Sequence, residues 1–131
     1  MKTQVGETAR LEVLEPFKMV KVVDRNYFKK FFEEEKTKPH VIKFYTDECG
    51  LCLSLQPDYE RLSSELTDAY DFIKVDAFGD PALSNLLSGG GVPTILLFKD
   101  GSFYEITYPE GGYHYDYLKE SLVKNKNLKR I

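Results

Sequence analysis

Two hydrophobic periods alternate along the chain. Residues 19–23 (MVKVV), 40–46 (HVIKFYT) and 71–76 (DFIKVD) are compact β-rich runs, and the second is apolar almost throughout, as a central strand buried on both faces should be. Between them, apolar side chains recur every three or four residues. Phe28, Phe31 and Phe32 mark a helix over 25–35, and Leu55, Tyr59, Leu62 and Leu66 mark a longer one over 49–69. Asp24 stands where the first helix needs an N-cap. Asp80-Pro81 supplies a cap and then a proline at the first position of a short helix that reaches Leu87. Strands at 94–99 and 102–108 meet at Lys99-Asp100-Gly101, a hairpin turn, and a last amphipathic helix over 115–124 carries Tyr117, Leu118, Leu122 and Val123.

The order β-α-β-α-β-α-β-β-α predicts an α/β fold. Its central sheet should be mixed, with right-handed crossovers joining parallel strands, helices on both faces and antiparallel pairing at the hairpin. Residues 19–125 form the expected domain. Residues 1–18 stand outside it as an edge strand or a mobile arm, and 126–131 as a solvated basic tail.

Composition narrows the function. A chain of 131 residues with 42% hydrophobic and 30% charged residues is globular and has the size of one domain. Eighteen basic against 21 acidic residues give a net charge of −3, which argues against nucleic acid as a partner. No apolar run approaches the ~20 residues of a membrane span, and the first 25 residues show no apolar leader core. A cytoplasmic monomer with reduced thiols is the expectation.

Cys49 and Cys52 are the only cysteines, too few for a disulfide framework or an all-cysteine zinc site. His40 and His114 lie at no ligand spacing from them, so no metal is expected. A lone Cys-x-x-Cys that follows a strand and opens a helix points to redox chemistry. A helix N-terminus stabilises a thiolate there, and two intervening residues bring both sulfurs to one end of the helix. Inert thiols, or half of an iron–sulfur cluster shared by two chains, are the alternatives that this motif alone leaves open.

Four features together make residues 19–125 resemble the thioredoxin family. They are Cys49-Gly50-Leu51-Cys52 after the buried strand, Pro57 five residues past the second cysteine, Val92-Pro93-Thr94, and the hairpin Phe98-Lys99-Asp100-Gly101. The resemblance implies a thioredoxin fold and a thiol–disulfide oxidoreductase acting on protein disulfides. In that reading Cys49 attacks and Cys52 resolves. It further implies that Pro93 is cis and packs opposite the cysteines, that Gly91, Val92 and Pro93 bind substrate, and that no cofactor is built in. Electrons would come from a thioredoxin reductase or from glutathione.

The departures from the family are informative. Glu48 stands where members usually carry Trp, placing a carboxylate beside Cys49 that opposes thiolate formation unless water screens it. Leu51 replaces the proline of reducing thioredoxins, so the loop of Glu48, Gly50 and Leu51 carries its own redox poise. Lys43 replaces a buried acid beneath the second cysteine, and Lys74 matches its usual lysine neighbour. Two ammonium groups would favour the Cys52 thiolate, or one would be desolvated to a neutral amine, or Lys43 would snorkel to the surface. Gly89-Gly90-Gly91 reads as a helix C-cap or a mobile groove, and the tyrosine tract 108–117 as rings packed on the sheet or as a partner surface. The competing functions are a catalytically weak binding module or adaptor and a glutaredoxin-like, glutathione-dependent reductase.

Overall fold

The computed structural model describes residues 20–34 and 37–131. Both alternatives for residues 1–18 therefore lie outside the described residues. Strand β1 (Lys21–Val22) leads to Asp24, whose carboxylate accepts the Asn26 N–H and caps a 3-10 turn (Arg25–Lys29) that runs on into α1 (Lys30–Glu33). Then come β2 (His40–Tyr45), α2 (Gly50–Glu65), β3 (Asp71–Asp76), α3 (Pro81–Ser88), β4 (Thr94–Lys99), β5 (Ser102–Ile106), α4 (Tyr115–Lys124) and β6 (Leu128–Arg130). The sheet order is β1-β3-β2-β4-β5-β6, with β1 and β2 parallel to β3 and the remaining pairs antiparallel. This is the mixed α/β sheet that the pattern predicts.

Strand alternation divides the core into two layers. Val41, Ile95 and Leu97 pack under α2 and α4 against Leu55, Tyr59, Leu62, Leu118 and Leu122. Ile42, Phe44, Leu96 and Phe98 face the opposite way, onto Phe28 and Phe31 and onto Leu83 and Leu87 of α3. Asp100 and Gly101 both take positive φ, as a two-residue hairpin turn that follows the sheet twist requires.

Four boundaries differ from the sequence pattern. Residues 25–33 are 3-10 turn and short helix, and Phe32 is 77% exposed, since the 3-10 turn covers the sheet with Phe28 and the single turn of α1 with Phe31. Helix α2 stops at Glu65, and the Ala69 and Tyr70 N–H groups both turn back to the Leu66 carbonyl. Strand β5 stops at Ile106, just ahead of the Tyr108-Pro109 turn. The stretch read as a basic tail closes the sheet edge instead: Leu128, Lys129 and Arg130 pair with Ile106, Glu105 and Tyr104. Asn125 and Asn127 make that return possible by adopting left-handed φ, which Asn tolerates. The Lys129 and Arg130 side chains remain exposed.

Candidate active site

The C-terminal end of β2 delivers the cysteines. The Cys49 N–H bonds the Thr46 carbonyl, Cys49 is the N-cap of α2, and its Sγ accepts the Cys52 N–H at 3.0 Å. A negative charge on that sulfur would face free N–H groups and the positive end of a 16-residue helix. Cys49 and Cys52 are joined as a disulfide with Cα atoms 5.2 Å apart. Cys49 is half-buried whereas Cys52 is 2% exposed, so the first sulfur is the more accessible of the two. Glu48, Gly50 and Leu51 are all exposed, and the Glu48 carboxylate is therefore open to screening by water and salt.

Beneath Cys52 lies a buried polar chain. Lys43 is 1% exposed and does not snorkel. Its Nζ donates to the Cys52 carbonyl at 3.0 Å and to Gln56 Oε1 at 2.6 Å, and it lies 5.5 Å from the centre of the Tyr59 ring. The Gln56 amide donates in turn to Glu60 Oε1 at 2.7 Å. Lys74 pairs with Lys43 across the parallel strands. Burial first, and then the Lys74 charge, bring the Lys43 ammonium down to about 8, against the support of Glu60. Burial also pushes the Glu60 carboxyl up, outweighing the Gln56 hydrogen bond, Lys74, the Val20 N–H and Lys43, which favour its charged form. Glu60 Oε2 has no hydrogen-bond partner of normal geometry among the described residues. The hydrophobic pattern of the sequence does not single out Gln56 and Glu60, although Cys52, Gln56 and Glu60 follow one another at i, i+4 and i+8.

The facing wall comes from the loop before β4. The Val92–Pro93 peptide is cis. Pro93 is buried and lines a groove of about 180 Å3 with Leu51, Ser54, Asp58, Tyr108 and Tyr113. Gly91 is exposed, and its carbonyl accepts the Thr94 hydroxyl at 2.7 Å. Gly89 takes φ 66° as the C-cap of α3, which settles it as a helix stop. The tyrosine tract divides. Tyr113 and Tyr117 donate to the Ile106 and Thr107 carbonyls at 2.5 and 2.6 Å, whereas Tyr108 is half exposed on the groove. Exposed His114 caps α4 by accepting the Tyr117 N–H. His40 is buried at the other end of β2 between Tyr27 and the Lys38 carbonyl, so the two histidines have separate structural tasks.

Paired cysteines at a helix N-terminus, one accessible and one buried beside it, suit thiol–disulfide exchange. Comparison with known proteins agrees. The family model described as Thioredoxin matches residues 18–124. Bloodstream-specific protein 2 of Trypanosoma brucei brucei is 38% identical over 66 residues, 50% of this chain and 13% of that protein. The chloroplastic thioredoxin Y2 of Arabidopsis thaliana is 32% identical over 72 residues, 55% of this chain and 43% of its own. The chain thus spans less than half the length of these two relatives. The solved structure of thioredoxin NaTrxh from Nicotiana alata superposes with a TM-score of 0.70 at 24% identity, covering 82% of this chain and 93% of that one, which establishes the fold. By fold, paired cysteines and family match, the chain belongs to the thioredoxin family.

Proposed function

We propose that the chain is a thiol–disulfide oxidoreductase that exchanges protein disulfides through Cys49 and Cys52. One observation carries this reading: the accessible Cys49 sulfur sits at the N-terminus of α2, within reach of a buried partner on the same turn. In the reduced protein the Cys49 thiolate attacks a substrate disulfide. A Cys49–substrate disulfide forms, and the other substrate sulfur leaves with the electron pair. The Cys52 thiolate then attacks Cys49 Sγ, closes the internal disulfide and releases the second substrate thiolate. Two electrons pass to the substrate, and the reverse sequence oxidises a dithiol.

Gly91, Val92 and Pro93 hold an extended substrate segment across the groove from Leu51. The Lys43 and Lys74 ammonium groups favour a Cys52 thiolate, which stabilises the reduced form and makes the pair a stronger oxidant of its substrates. A thioredoxin reductase or glutathione restores the dithiol. A chain whose two cysteines both serve the site suits a monomer in a thiol-reducing compartment such as the cytosol.

The test is a glutathione redox titration read by alkylation mass shift, since the chain has no Trp to report by fluorescence. A reversible two-electron transition within about −270 to −120 mV is expected, toward the upper end if the lysines act as argued. Thiols that never form an intramolecular disulfide would leave a binding module in place of an enzyme.

A further inference from the structure

The polar chain under Cys52 contains more than an electrostatic background for the thiols. Lys43 brings only donors to Gln56, so Gln56 must turn its oxygen to Lys43 and its NH2 to an acceptor. Glu60 Oε1 is that acceptor, at 2.7 Å. A cation at one end and a carboxyl at the other therefore lock the amide in a single orientation. Glu60 is 9% exposed and leaves Oε2 without a regular partner among the described residues. A buried carboxyl oxygen left unpaired is costly, and such costs concentrate where a charge is put to use.

The groups that face Lys43 are few. Helix α2 presents Cys52, Gln56, Tyr59 and Glu60, strand β3 presents Lys74, and β4 places Ile95 opposite it. Among the described residues, Glu60 is the one carboxylate acting on the ammonium.

We propose that Glu60, acting through Gln56, is a positioning residue of the exchange site: it anchors the Lys43 ammonium against the Cys52 carbonyl and so sets the charge beneath the resolving cysteine. The proposal rests on the oxidoreductase reading. It concerns the second half-reaction, in which the Cys52 thiol gives its proton to solvent, the thiolate forms the bond to Cys49 Sγ, and the substrate sulfur leaves with the electron pair. An ammonium held below Cys52 stabilises that thiolate, and losing the ammonium withdraws the support.

An aryl disulfide that releases a coloured thiolate separates the two steps with the whole chain. The first equivalent reports Cys49 attack and the second reports Cys52 closure. The pH profile of the second phase should contain an inflection that Lys43→Met removes. Glu60→Gln, equal in shape, should move that inflection down by roughly half to one pH unit, the low end of a charge-partner effect. Gln56→Met should move it similarly, and Gln56→Met with Glu60→Gln no further than either alone. Melting curves check that each variant folds. An inflection that is missing in the parent protein, unmoved in Glu60→Gln, or moved by Glu60→Gln but not by Gln56→Met overturns the assignment. If the parent releases only one equivalent, the oxidoreductase reading itself has failed. Two equivalents with an unmoved inflection remove Glu60 alone.

Discussion

Strand β2 buries a base at each end, and the two ends are built in opposite ways. At its start, His40 is 1% exposed, and both of its ring nitrogens are engaged. Nδ1 lies 2.6 Å from the Lys38 carbonyl and Nε2 lies 2.9 Å from the Tyr27 hydroxyl. Since a carbonyl can only accept, Nδ1 carries the proton and Nε2 accepts from Tyr27, which is the neutral ring. Burial holds the imidazole below its usual pKa despite Asp71, whose carboxylate is 3.7 Å away. Phe31 and Tyr27 pack edge-on against the ring. Every polar atom there has a partner and nothing is left to react. Beneath the cysteines, Lys43 and Glu60 also lie buried, yet Glu60 Oε2 has no partner of normal geometry among the described residues and the chain touches the redox helix at Cys52. A closed network specifies a fold, and an open one holds a charge whose state can change.

The largest effect expected is on the closed end. His40→Ala strands the Tyr27 hydroxyl and the Lys38 carbonyl and opens a cavity among Tyr27, Phe31 and Phe98, costing about 3 kcal/mol and roughly 10 °C in melting temperature. Its second thiolate-release phase should keep the parent pH profile. A shift as large as that of Lys43→Met would erase the contrast between the two ends.

A smaller effect of opposite sign is expected at the open end. Lys43→Met combined with Glu60→Gln removes both charges and keeps the volume, so the double variant should gain about 1–2 kcal/mol, part of the cost of burying two charges that meet only through the Gln56 amide. Chemical denaturation with disulfide closure followed in parallel checks this. A double variant that is less stable than the parent would make this pair a structural device like His40.

Legibility in the sequence followed the same division. The layered fold was readable because period-two and period-3.6 runs are long and alternate cleanly, Cys49 and Cys52 because their spacing is local, and Pro93 because Val92-Pro93-Thr94 resembles a motif of the thioredoxin family. Lys43 stood out as a cation in an apolar strand. What that cation does was unreadable, because its partners Gln56 and Glu60 look like ordinary solvent-facing positions of an amphipathic helix. Only the approach of α2 to β2 turns them inward. Strand β6 was missed for a similar reason. Lys-Asn-Leu-Lys-Arg has the composition of a tail, and the free edge of β5, formed some twenty residues earlier, is what makes it a strand.

Acid separates the two ends most finely. His40 is held below its unfolded value of about 6.5, so above that pH both states keep it neutral. As pH falls below about 6.5 the unfolded chain takes up a proton that the fold refuses. Stability therefore drops, by at most about 1.4 kcal/mol per pH unit, until the folded value is reached. Glu60 works in the other direction. Its carboxyl is held above 4.5, so the fold takes up the proton before the unfolded chain does, and the penalty of burying its charge fades as pH falls toward 4.5. Urea melts between pH 7.5 and 4.5 should show His40→Ala losing part of the acid destabilisation. Glu60→Gln should lose the opposing gain and so decline more steeply than the parent. The carboxyls held low at the surface, Asp80 at about 2 among them, titrate largely below this window and act alike in all three proteins. Parallel slopes in all three would mean that neither buried base–acid system changes protonation in this range, and the distinction between a closed and an open end would then rest on geometry alone.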